Sequence, residues 1–250
     1  MNETTASAIA RYLAFGDSIS IDDYAGGPGR GAASLLHCNR DGEFPEFRGR
    51  DLTSHFPDAK LFLKAADGAT TRAVLEKQIT RVPNDEGGRT VMTLTIGGND
   101  LLLLLQMRGT LLPEDAEGTI RRIDSIVGSL RNRYKDSLLI VSTIYDPTDG
   151  VGDLVNPGFP LLRELGLFQR VNDAIRAMAN GDRVWLADVH QHFLGHGNHH
   201  DDPANPYHDA ADPSGWFTET IEPNPRGASE VRRLFWQALV EAGWVAEGSP

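Results

Sequence analysis

A single cysteine, Cys38, stands in 250 residues, so no internal disulfide can form and the fold does not depend on oxidation. Long apolar runs are missing too. The longest is residues 101–105, all leucine, against the roughly 20 apolar residues a membrane-spanning helix needs. Positive charge is scarce: 24 Lys and Arg against 35 Asp and Glu leave a formal charge of −11. That balance argues against a surface that tracks nucleic-acid phosphates and against an anionic membrane partner. The opening residues Met1-Asn2-Glu3-Thr4-Thr5-Ala6 lack a basic region followed by an apolar core, so no signal peptide is expected and a cytoplasmic location is the expectation. No internal repeat with a period of about 20–50 residues is visible.

What is present is the composition of a folded domain, 40% hydrophobic and 24% charged, and the length suits one α/β domain with a sizeable core. Five apolar runs read as strands: residues 12–15, 60–66, 90–96, 138–144 and 184–189. Between them lie helical patterns, clearest in Ile120, Ile123, Val127 and Leu130, then in Leu162, Leu165, Phe168, Val171, Ile175 and Met178, and finally in Val231, Leu234, Phe235, Ala238 and Leu239. Strands alternating with helices imply parallel crossovers and a three-layer α/β/α domain over residues 1–250. One long irregular stretch, residues 190–221, separates the last strand from the last helix; loops of that length are usually functional.

In such a sheet, functional groups gather beyond the carboxyl ends of the strands. Three strand ends carry the relevant chemistry. The first runs into Gly16-Asp17-Ser18-Ile19-Ser20, which delivers a serine behind a turn glycine, as a nucleophile would be. The second ends in Asp67-Gly68-Ala69-Thr70-Thr71, where Thr70 or Thr71 caps the next helix. The third stops at Gly97-Gly98-Asn99-Asp100. Each block is also ordinary turn or cap chemistry. Acyl transfer, however, needs a hydroxyl and several N–H donors in one place, and the backbone N–H groups of Ser18 and Gly68 with the side-chain amide of Asn99 supply three.

In the order and spacing of these three blocks the chain resembles the SGNH hydrolases, also called the GDSL esterase/lipase family. The resemblance implies a flavodoxin-like sheet and a serine hydrolase without a cofactor. It makes Ser18 the nucleophile, and Gly68 and Asn99 oxyanion donors, acting on a small-molecule ester, plausibly a small acyl or acetyl ester. No Gly-x-Ser-x-Gly elbow surrounds Ser18, which speaks against an α/β-hydrolase fold.

The resemblance breaks near the last helix. The family places Asp-x-x-His-Pro there, with the histidine as base; this chain has Glu219-Thr220-Ile221-Glu222-Pro223-Asn224. Three readings stay open. Glu222 itself takes the Ser18 proton, its pKa raised by burial or by Glu219 or Asp100. A histidine from the 190–221 loop, which holds six of the chain's eight, folds over Ser18, with His196 between two glycines the first to test. Or the base is lost and the protein only binds. A metal-dependent hydrolase using the histidine-rich loop is a further alternative, but His-Glu-x-x-His is absent and a solvated polar loop is the better reading. Oligomeric state is not legible.

Overall fold

The structure, a computed structural model, describes residues 8–85 and 87–247. Five parallel strands form one sheet in the order β2-β1-β3-β4-β5: β1 Ile9–Gly16, β2 Lys60–Leu63, β3 Arg89–Thr95, β4 Ser137–Ser142 and β5 Val184–Ala187. Along β1 the side chains alternate between two cores. Leu13 and Phe15 enter the one shared with Met92, Leu94 and Leu139, while Tyr12 and Ala14 enter the other with Val91, Leu138 and Ile140. A strand buried on both faces reads as a continuous apolar run, which is why these segments show no polar alternation.

The first core is closed by α2 Gly98–Arg108, α3 Pro113–Arg133 and α4 Leu165–Met178; the second by α1 Ala32–His37 and α6 Pro225–Glu241. Leu162, expected inside the fourth helix, lies just before it. Arg232 is fully buried on α6. Its guanidinium lies 3.4 Å from the Phe47 ring centroid and donates to Asn39 Oδ1 and Ser229 Oγ. Burial lowers its pKa to about 9.

The long 190–221 stretch is more regular than its composition suggests. It begins inside the short helix α5, Val189–Phe193, and its end forms a two-stranded antiparallel hairpin, β6 Phe217–Thr218 with β7 Glu222–Pro223. Between these elements the histidines act as staples. The rings of His196, His199, His200 and His208 hydrogen-bond the carbonyls of Ser214, Asp153, Pro213 and His200 in turn.

The chain leaves β1 toward β2 on one side and returns to β3 on the other. Their carboxyl ends therefore flank a topological switch point, the crevice where such sheets bind ligands.

Candidate active site

Gly16 makes the exit from β1 possible. Its φ is +125°, and a Cβ there would lie 1.9 Å from the carbonyl oxygen of Thr95, so only glycine fits. The Gln78 side chain grips both polar groups of this residue, accepting from its N–H at 2.9 Å and donating to its carbonyl at 2.7 Å. Asp17 N–H then bonds Thr95 O at 3.0 Å, tying the turn to the end of β3. Ser18 follows at the start of a single 3₁₀ turn, Ser18–Ser20, and is buried except for 6% of its surface.

Asn99 comes from the first turn of α2, entered through the left-handed Gly97 at φ +112°. Its amide Nδ2 donates one proton to Ala69 O at 3.1 Å and keeps a second. The next residue, Asp100, accepts from Thr71 N–H at 2.8 Å, from Thr71 Oγ1 at 2.6 Å and from Arg122 at 3.0 Å. These bonds lock the Gly68 turn to the Asn99 helix. The sequence reading offered Asp100 as a like charge beside Glu222; its carboxylate is instead committed to Thr71 and Arg122. Thr70 caps the 71–81 helical segment through its Oγ1, as expected for one of the two threonines.

Glu222 arrives on the hairpin. The three residues between β6 and β7 include Glu219 at φ +46° and Thr220 at φ +78°, both non-glycine residues in left-handed conformation. Such a turn persists only where its surroundings hold it. Asn156 Nδ2 donates to Thr220 Oγ1 at 2.8 Å, Asn198 Nδ2 donates to Thr220 O at 3.0 Å, and the Tyr145 hydroxyl donates to Ile221 O.

Ser18, Asn99 and Glu222 line one cavity, together with Asp17 and an apolar wall from α2, the 144–162 segment and Phe168. No histidine lines it. Gly68 is not among the lining residues; it is exposed, in the 66–69 turn whose last residue Ala69 is buried, at φ +63°. No described residue accepts a hydrogen bond from the backbone N–H of Ser18 or Gly68. His196 is elsewhere: its ring stacks on Trp216 at 3.5 Å between centroids and 5° between planes, and it faces a second, polar cavity with His192, Arg226 and Glu230. The structure thus does not bring His196 to Ser18. Among the described residues no group of three or more His, Cys, Asp or Glu side chains is arranged to hold a metal ion.

The electrostatics of the cavity are acidic. Burial raises the Glu222 pKa above the ordinary 4.5, the nearby Ser18 hydroxyl lowers it, and the charges of Asp67 and Glu219 raise it again. One carboxylate oxygen, Oε2, is buried without a hydrogen-bond partner. Asp17, 2% exposed, is pushed to about 8, mainly by burial, against hydrogen bonds from Thr95 and Ile19, with a smaller upward push from Glu222. Tyr24 rises to about 12 through burial and the charges of Asp67 and Glu222. Sequence reasoning missed Asp17 as anything but a turn residue, because its burial depends on neighbours far along the chain.

Residues 14–229 match the model of the GDSL-like lipase/acylhydrolase family. Among solved structures the chain is similar to the lipase Lip_vut3 from a goat rumen metagenome, at 16% identity and TM-score 0.60 over 91% of this chain and 96% of that one. It is also similar to the acetyl xylan esterase AlAXEase, at 18% identity and TM-score 0.59 over 92% and 99%. A third is phospholipase A1 from Streptomyces albidoflavus NA297, at 18% identity and TM-score 0.57 over 92% and 100%. No curated protein matches the chain in sequence. At these identities the structures speak for the fold, a three-layer α/β/α sheet of the SGNH type, and the family match covers most of the chain. The protein belongs to the GDSL-like lipase/acylhydrolase family of ester-hydrolysing enzymes.

Proposed function

We propose that the protein is a serine esterase in which Ser18 is the nucleophile and Glu222, standing where the family has histidine, is the general base. The observation that carries this reading is the buried Glu222 carboxyl, which lines the same cavity as Ser18 with one oxygen free of any hydrogen-bond partner, while no histidine is among the described residues of that lining. An ordinary carboxylate is a weak base for a hydroxyl at neutral pH; raising its pKa toward the working pH improves the match. Burial and the like charges of Asp67 and Glu219 act in that direction.

In the reaction Ser18 Oγ attacks the ester carbonyl carbon while its proton passes to Glu222. The negative charge on the carbonyl oxygen is met by the N–H groups of Ser18 and Gly68 and by the second Asn99 Nδ2 proton. Because Asn99 is held to Ala69, and Asp100 to Thr71, these donors need little reorganisation as charge develops. Protonated Glu222 returns its proton to the departing alkoxide, the alcohol leaves, and an acyl-Ser18 remains. Water then gives a proton to Glu222 as it attacks the acyl carbon, and the acid departs as Ser18 regains its proton. No step calls on a cofactor.

A fluorophosphonate probe tests the assignment, because it labels a serine only when the hydroxyl is activated. Labelling of the wild-type chain at Ser18, lost in Ser18→Ala and strongly slowed in Glu222→Gln, supports it. Hydrolysis of p-nitrophenyl acetate that survives Ser18→Ala overturns it.

A further inference from the structure

We infer that the cavity beside Ser18 is an acyl-chain channel, and that the ester substrates this enzyme prefers carry a medium-length aliphatic acyl group of about six to eight carbons rather than acetyl. The inference rests on the Ser18 esterase reading and extends it from reaction to substrate class.

The channel has a polar end and an apolar end. Ser18, Asn99 and Glu222 occupy the first. From there the lining runs along one face of α2, through Gly98, Asn99, Leu101, Leu102 and Leu105, the spacing of residues that share a helical face. Leu111 and Phe168 continue it. The wall also includes Ile144, fixed by a two-point clamp in which Asn172 accepts from its N–H at 2.8 Å and donates to its carbonyl at 2.9 Å.

From Asn99 to Leu105 the helix rises about 9 Å. An extended chain gains roughly 1.3 Å per carbon, so that length fits about six to eight carbons of an acyl group. An acetyl group would leave the Leu105, Leu111 and Phe168 end untouched. Among the described residues the apolar wall offers no charged side chain to a polar acyl substituent: the titratable groups of the lining are Asp17, Tyr145, Asp146 and Glu222. Of these, Asp146 turns back on its own loop to accept from Thr148 N–H at 2.9 Å and Thr148 Oγ1 at 2.6 Å. Each methylene buried against such a wall is worth about a three- to fourfold gain in transition-state binding.

Two measurements test the channel. The first is kcat/KM for p-nitrophenyl esters from acetate to dodecanoate. The expected profile peaks at hexanoate to octanoate, at least about 30-fold above acetate. Leu102→Trp, at a half-buried position on the lining, and Leu105→Trp, at the deeper one, should each lower the octanoate-to-acetate ratio at least tenfold, with folding of each variant checked by thermal melting. The second measurement is independent of turnover: calorimetric binding of octanoate to Ser18→Ala, expected to exceed acetate binding and to weaken at least tenfold when Leu102→Trp is added. Octanoate bound as expected with no ester hydrolysed would uphold the channel and remove the esterase reading. A profile that peaks at acetate, or octanoate binding no tighter than acetate, would overturn the channel and leave the esterase standing.

Discussion

Asp17 couples the stability of the fold to pH through its burial. Its carboxyl is 2% exposed and its pKa stands near 8, chiefly through burial, against an ordinary 3.8. The folded chain therefore holds a proton that the unfolded chain releases once pH exceeds about 4. Stability is untouched below that point, falls as pH rises from about 4 to about 8, and stays at the lower level above. At about 1.4 kcal/mol per pH unit, the interval from pH 5 to pH 8 removes up to about 4 kcal/mol. The amide introduced by Asp17→Asn does not titrate, and its carbonyl oxygen can still accept from the Ile19 N–H as the carboxyl does at 3.3 Å. The variant should thus gain on the wild type by up to about 4 kcal/mol between pH 5 and pH 8 in urea unfolding, or roughly 10 °C in Tm for a chain of this size. An equal stability difference between the two proteins at both pH values would refute the reasoning. It would mean that Asp17 is solvated or paired with a cation in the folded protein.

Three further outcomes follow from contacts around the site. Asn99→Ala removes one oxyanion donor and should lower kcat about a hundred- to a thousandfold with little change in KM, measured on p-nitrophenyl esters. Gly16→Ala forces a Cβ into the Thr95 carbonyl at 1.9 Å and a side chain onto φ +125°; it should cost at least about 3 kcal/mol in denaturant unfolding or prevent folding. Asp100→Ala leaves buried Thr71 groups and Arg122 without their common acceptor. A loss of about 3 kcal/mol is expected, with a fall in kcat as the Gly68 turn and Asn99 lose their shared anchor; unchanged kcat would show that the anchor does not position the donors.

The sequence carried the sheet because its three central strands are buried on both faces, and apolar runs marked all five strands within a few residues. It also carried Ser18, Gly68 and Asn99, since all three follow strand ends and need no knowledge of the strand order. Glu222 was legible only by setting Pro223 against the proline of a family motif, since a two-residue strand such as Glu222–Pro223 has no periodicity. The histidine-rich loop misled for a physical reason. His196 between two glycines was the loop histidine to test first, but stacking on Trp216 and a bond to Ser214 O fix it in another cavity. The channel wall at 144–162 was invisible as well. It is built by turns in which Asp146 accepts from Thr148, and Leu154 and Pro160 line the cavity from within them with no helical or strand period to mark them.

The account turns on the proton acceptor for Ser18, and the pH dependence of kcat/KM in wild type and Glu222→Gln measures it most directly. A base must be in its carboxylate form, so wild-type activity should fall as pH drops through an acid limb whose apparent pKa lies above the ordinary 4.5 of a glutamate, in the direction that burial and the Asp67 and Glu219 charges impose. Glu222→Gln should lose about a hundred- to ten-thousandfold in kcat/KM and should lack that limb. A Glu222→Gln enzyme with near-wild-type activity and the same acid limb would contradict the account and place the base on another residue.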